Sequence, residues 1–231
     1  LRACCAAITA GGAFPKSAKL GPMAIPSPVL PLRACLLSGG ESRRMGRDKA
    51  LLPHPAGGCW LEQSLRQLAA LDLPVTLFSR HATHLERGQR LAHELSNLDS
   101  PAVAASISAI AEPPPWEGPL LALQRLMQHH PEQRLLLCPV DMPALTRGVL
   151  QKLLAAAGQE PSTIHLAHDG EQLQPLLGVY PSDAPHRDSL GAAISSGERR
   201  LQTWLAGHAC RPVRLDAAAL RNMNHPGELI S

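Results

Sequence analysis

Apolar and polar positions along this 231-residue chain fall into two kinds of segment. The first kind is a short unbroken apolar run closed by turn residues. Arg33-Ala34-Cys35-Leu36-Leu37 stops at Ser38-Gly39-Gly40, and Leu135-Leu136-Leu137-Cys138-Pro139-Val140 ends at Asp141. Runs of this length and boundary predict strands buried on both faces. Residues 75–78, 163–167 and 212–215 predict further strands. Residues 175–180 form another apolar run, and the ambiguous stretch 101–111 has its strand expected at 107–111.

The second kind repeats every three or four residues. Leu61, Leu65, Leu68 and Leu71 mark a helix over 59–71. Residues 85–95 predict a polar helix, and 119–127, 148–157, 184–194 and 201–205 predict the remaining ones. Strands alternating with helices imply an α/β fold with a mainly parallel central sheet covered on both faces. There is no internal repeat. In such sheets ligands bind beyond the carboxyl ends of strands, and two of those ends carry unusual chemistry: 38–49 and Asp141.

Composition narrows the picture. Aromatic residues make up 3% of the chain, too few for the stacking platforms of a single-strand nucleic-acid binder. The net charge of +3 is carried entirely by Arg2, Lys16 and Lys19, so residues 23–231 sum to zero. A neutral body argues against nucleic-acid and membrane partners. Cys4, Cys5, Cys35, Cys59, Cys138 and Cys210 form no C-x-x-C pair and read as free thiols of a reducing cytoplasm. No stretch reaches the roughly 18 apolar residues of a membrane-spanning helix.

Residues 3–14 are small and apolar, a weak signal-peptide pattern. The chain begins at Leu1, however, and Met23 stands just before the first strand. Residues 1–22 therefore read as an upstream extension, disordered or loosely packed, and the three prolines between Pro26 and Pro31 as a linker. The expected organisation is an extension and linker over 1–31 and a single domain over 32–231.

The segment 38–49 has the composition of an anion cradle. Gly39 and Gly40 let the backbone turn and present its N–H groups. Arg43, Arg44, Arg47 and Lys49 set four positive charges within seven residues, and Gly46 supplies a second turn. Neither the P-loop pattern nor G-x-G-x-x-G fits it. On charge and glycine alone it remains either a phosphate loop or an ordinary basic turn.

The longer string Leu37-Ser38-Gly39-Gly40-Glu41-Ser42-Arg43-Arg44-Met45-Gly46-Arg47-Asp48-Lys49 resembles the signature of the molybdenum cofactor guanylyltransferases, L-A-G-G-x-S-x-R-M-G-x-D-K, with Ser38 in place of Ala. Further segments match in order: Gly118-Pro119-Leu120, Leu137-Cys138-Pro139-Val140-Asp141-Met142-Pro143, and Asp169-Gly170-Glu171 followed by Pro175 to Tyr180. Gly197-Glu198-Arg199-Arg200 and Asn222-Met223-Asn224-His225-Pro226-Gly227-Glu228-Leu229 complete the series. The resemblance covers about 33–230, with a poor patch at 75–112. It implies a Rossmann-like three-layer nucleotidyltransferase fold and transfer of GMP from GTP to molybdopterin, with release of pyrophosphate. It also implies Mg2+ as cofactor, a cytoplasmic setting, and as protein partners molybdoenzymes or their chaperones and upstream cofactor-biosynthesis proteins.

Carried over, the resemblance puts Leu37, Ser38, Gly39, Gly40, Lys49, Glu112 and Asp141 on GTP. It makes Arg44, Lys49 and Asp141 catalytic and Asp141 the metal ligand. Arg199, Arg200, Asn222 and Asn224 fall on the pterin side. Ordinary structural roles stand beside these: a turn or cap for Asp141, a turn for Asn222 and Asn224, a solvated charge run for Arg199 and Arg200. His81, His84, His93, His129 and His130 have no cysteine partner at zinc spacing and read as surface histidines.

The chain departs from the family at several positions. Ala122 replaces the last glycine of G-P-L-A-G, Glu112 stands for an Asp, and a family Asn near the end of the second strand falls around Leu77. Two alternatives follow: a cytidylyltransferase acting on the same pterin, and a non-catalytic nucleotide-binding protein. The former group has L-A-A-G where this chain has Leu37-Ser38-Gly39-Gly40, so the second glycine favours guanine.

Overall fold

The structure, a computed structural model, describes residues 29–40, 47–97 and 107–223. The expectations for residues 1–22, for Glu41 to Gly46, for 101–106 and for the closing segment from Asn224 lie outside these residues.

Among the described residues seven strands form one sheet, in the order β3-β2-β1-β4-β6-β5-β7. They are β1 (Leu32–Leu37), β2 (Val75–Ser79), β3 (Ile107–Ala111), β4 (Arg134–Pro139), β5 (Ile164–His168), β6 (Leu173–Pro181) and β7 (Cys210–Arg214). The described helices that cover it are α1 (Trp60–Ala69), α2 (Ala82–Ser96), α3 (Pro119–His129), α4 (Arg147–Gln159), α5 (Ala184–Ser195) and α6 (Leu201–Ala206). All pairings are parallel except those of β6, which runs antiparallel to β4 and β5. The α/β expectation and the individual elements hold to within a few residues at their ends. The run at 175–180 is the body of β6.

The period-2 geometry of strands sorts the core into two layers. Ala34, Leu36, Leu77, Leu136 and Cys138 face α1, α2 and α4 through Leu65, Leu68, Leu91, Leu150 and Leu153. Cys35, Phe78, Leu135, Leu137 and Tyr180 face α3, α5 and α6 through Leu123, Leu126, Leu190 and Trp204. Helices of both faces thus sandwich the sheet in three layers.

Strand order reverses at β1: β2 and β3 lie to one side of it and β4 to the other. Connections therefore leave β1 and β4 in opposite directions, opening a crevice at their carboxyl ends, where α/β sheets bind ligands. Leu37 and Pro139 are register partners there, and Val140 N–H donates to the Leu37 carbonyl at 3.1 Å.

Beneath the sheet, His130 is buried beside Thr76, its Nε2 3.0 Å from the threonine hydroxyl. Burial, with Arg33 and His129 nearby, lowers its pKa from the ordinary 6.5 to about 4. The folded protein holds this ring neutral, whereas the unfolded chain takes up a proton near pH 6.5. Its contribution to stability is complete above pH 6.5 and lost as the pH falls toward 4, by up to about 1.4 kcal/mol per pH unit. Urea unfolding across that window should show a shallower loss for His130→Gln than for the wild type. Equal slopes would refute the assignment.

Candidate active site

The residue that organises the loop after β1 is a histidine. His84, on the first turn of α2, is 1% exposed. Its Nδ1 lies 2.9 Å from the Ser38 carbonyl oxygen, 3.0 Å from Ser38 Oγ and 3.0 Å from Ser79 Oγ. Its Nε2 lies 2.7 Å from Asp48 Oδ2. One imidazole therefore joins the start of the 38–49 segment to its end. The other Asp48 oxygen, Oδ1, accepts from Ala50 N–H at 3.0 Å and caps the 3-10 turn Lys49–Leu51. His84 and His130 correct the reading of the histidines as surface residues. Each is buried because its polar atoms find partners on another element.

The turn sets Lys49 beside the end of β4. Lys49 Nζ is 3.8 Å from Asp141 Oδ2, both side chains partly buried. Burial raises the Asp141 pKa, and the Lys49 charge opposes that rise. Asp141 is further fixed through its backbone, whose carbonyl accepts from Met223 N–H at 3.0 Å.

On the opposite side of β1, Glu112 follows β3 and is 9% exposed. Arg125 of α3 reaches its Oε1 at 3.3 Å. Burial raises the Glu112 pKa, while Arg125 and Arg80 work to keep the carboxylate ionised. A Cβ at Gly39 would stand 2.8 Å from Glu112 Oε2, so any larger residue there would have to displace the Glu112 carboxylate. Gly118 enters α3 at φ +97°, a conformation that glycine adopts without strain.

These groups surround one cavity of about 540 Å3, within the usual range of roughly 300–1,000 Å3 for small-molecule sites. Leu37, Ser38, Gly39, Gly40, Lys49, Glu112 and Asp141 all line it, together with Ala122 at the changed glycine. It also holds Asp48 of the same motif, and Arg80 and Trp116, which the sequence did not single out. Leu77 is fully buried in the core and does not line the cavity; from the end of β2 it is Arg80 that does.

The pterin-side residues gather less closely. Asn224, like the catalytic candidate Arg44, lies outside the described residues. Asn222 donates to Gln174 Oε1 at 3.3 Å and lines a separate concavity of about 580 Å3 with Asp169, Glu171 and Arg221. Arg199 pairs with Glu117 at 2.6 Å, and Arg200 precedes α6 as its N-cap. Neither arginine lines either cavity.

A metal would have to rest on few protein atoms. Among the described residues no group of three or more His, Cys, Asp or Glu side chains could hold an ion. Asp141 at the cavity wall suits the other arrangement, in which magnesium takes one or two carboxylates and completes its shell with substrate phosphates and water.

A family model described as MobA-like NTP transferase domain matches residues 34–213. A Rhodopirellula baltica protein named "Probable molybdenum cofactor guanylyltransferase" is 34% identical over 216 residues, covering 90% of this chain and 93% of that protein. A Mycobacterium tuberculosis (strain H37Rv) protein of the same name is 31% identical, covering 85% and 90%. Among solved structures, molybdopterin-guanine dinucleotide biosynthesis protein A from Archaeoglobus fulgidus superposes with a TM-score of 0.63 at 17% identity, covering 85% of this chain and 94% of that one. That last match bears on the fold.

Proposed function

The chain belongs to the family of MobA-like NTP transferase domains, and on that premise we propose that it transfers GMP from GTP to molybdopterin. One observation carries this reading: the glycine turn after β1, Lys49, Asp141 and Glu112 converge on a single cavity at the switch point of the sheet. A cation and a carboxylate meet at one end, suited to phosphates, and a second carboxylate stands at the other, suited to a base.

In the proposed reaction a phosphate oxygen of molybdopterin attacks the α-phosphorus of GTP. A new P–O bond forms, the bond to the β-phosphate bridging oxygen breaks, and pyrophosphate leaves. Gly39 and Gly40 bring backbone close to the nucleotide. Lys49 and Arg44 hold the phosphates and meet the negative charge that grows on them, the main way a protein assists phosphoryl and nucleotidyl transfer. Asp141 would hold Mg2+, which when bound supplies further positive charge to the departing pyrophosphate. Glu112 accepts from guanine N1–H and its 2-amino group. Cytosine would turn lone pairs at N3 and O2 toward the same carboxylate, an unfavourable match. Arg199, Arg200, Asn222 and Asn224 serve the acceptor. The cytoplasm is the proposed setting, with molybdoenzymes or their chaperones receiving the product and upstream cofactor-biosynthesis proteins supplying the acceptor.

The test is direct. With molybdopterin and magnesium supplied, pyrophosphate release and dinucleotide formation are followed from GTP and from CTP. The expectation is a kcat/KM at least about tenfold higher for GTP. Preference for CTP, or no pyrophosphate from either nucleotide, overturns the reading.

A further inference from the structure

Trp116 stands apart from the other tryptophans. Trp60 and Trp204 are 2% and 5% exposed and belong to the core, whereas Trp116 is 50% exposed at the wall of the active-site cavity. It is nevertheless held in place. Its indole N–H donates to the Glu112 carbonyl oxygen at 3.0 Å, and the Arg80 guanidinium carbon lies 5.2 Å from its ring centroid. The loop that carries it opens with Pro113-Pro114-Pro115, which restricts the backbone on one side. Glu117 ties the other side to Arg199 at 2.6 Å. A fixed, half-bare indole with a guanidinium over its ring, next to a buried carboxylate, makes a surface for a flat ring with hydrogen-bond donors on its edge.

We propose that Trp116 and Arg80 form the stacking platform for the purine base of GTP, with Glu112 reading the edge of the same base. The proposal rests on the nucleotidyltransferase reading above and adds residues that the sequence motifs do not contain. A bicyclic purine overlaps an indole more fully than a pyrimidine does, so the platform and Glu112 favour the same nucleotide by different physics. Arg80 contributes twice, by stacking on Trp116 and by helping to hold Glu112 ionised. The acceptor pterin is also flat. The direct bond from Trp116 to the Glu112 backbone assigns the platform to the nucleotide base.

The full-length protein is titrated with GTP, with inorganic tripolyphosphate and with a pterin, and binding is read by calorimetry and tryptophan fluorescence. Trp116→Ala should weaken GTP binding by about tenfold or more, the scale of one lost base–aromatic stack. It should leave tripolyphosphate affinity unchanged, because that probe has no base. Trp116→Tyr should bind GTP nearly as the wild type does, yet lose the GTP-induced fluorescence change, since Trp60 and Trp204 are buried. Unchanged GTP affinity in Trp116→Ala, an equal loss for tripolyphosphate, a fluorescence change that persists in Trp116→Tyr, or a response to the pterin in place of GTP would each overturn the proposal. A wild type that binds GTP through Trp116 but releases no pyrophosphate to molybdopterin refutes the transfer reading and leaves the platform standing. A wild type that binds no GTP refutes both.

Discussion

Replacing Asp141 with Asn is expected to lower kcat/KM for guanylyl transfer by roughly a hundredfold to a thousandfold while leaving the fold intact, the usual scale for loss of one preorganised charge at a transferring phosphoryl group. The substitution keeps the shape of the side chain and removes its charge. Asp141 sits at the end of a strand buried throughout, and its own carbonyl accepts from Met223. The backbone is thus held independently of the carboxylate. Burial already disfavours the ionised form, so an amide should cost little stability. Thermal melts of the two proteins should agree within a few degrees, while pyrophosphate release collapses. Near-normal transfer by Asp141→Asn would remove Asp141 from catalysis.

Lys49→Ala should be comparably severe in kcat, again roughly a hundredfold or more. Lys49→Arg should restore only part of it. The ammonium is a compact point charge 3.8 Å from Asp141, and a planar guanidinium cannot occupy the same place between carboxylate and phosphate. Because the two residues interact, the double variant should lose less than the product of the single losses. Full multiplicativity in the measured kcat values would show that they act separately. A wild-type rate in Lys49→Ala would refute the phosphate role outright.

Much of this architecture was legible in the sequence. The unbroken run at Leu135 to Val140 could be buried only from both sides, and its first five residues lie in the central strand Arg134–Pro139, which is buried throughout. The direction of β6 was not legible. An apolar run reads the same whether its neighbours are parallel or antiparallel, and Pro175 to Tyr180 gave no sign that Leu173 and Gln174 extend the strand past a bulge at Leu166 and Ala167.

At the site, Leu37 to Gly40, Lys49 and Asp141 could be named because they sit on linear motifs, and Glu112 because it precedes one; the cavity brings them together. His84 was missed because a histidine among polar helix residues reads as solvated. Its partners Ser38 and Asp48 lie 46 and 36 residues away in sequence and become neighbours only when α2 packs across β1 and β2. Trp116 was missed for a similar reason. It follows three prolines in a loop with no periodicity, and its setting comes from Glu112 at the start of that loop and from Arg80 at the end of β2.

The His84 bridge has a thermodynamic consequence for the nucleotide. The stretch between Ser38 and Asp48 has both its ends pinned to one buried imidazole before any ligand arrives. Bringing the ends of about ten residues together costs on the order of 2 kcal/mol in chain entropy. Here that ordering is done during folding, so it is not charged against GTP. At room temperature the difference corresponds to about thirtyfold in affinity. A side chain that never touches substrate would thereby set how tightly the protein holds it.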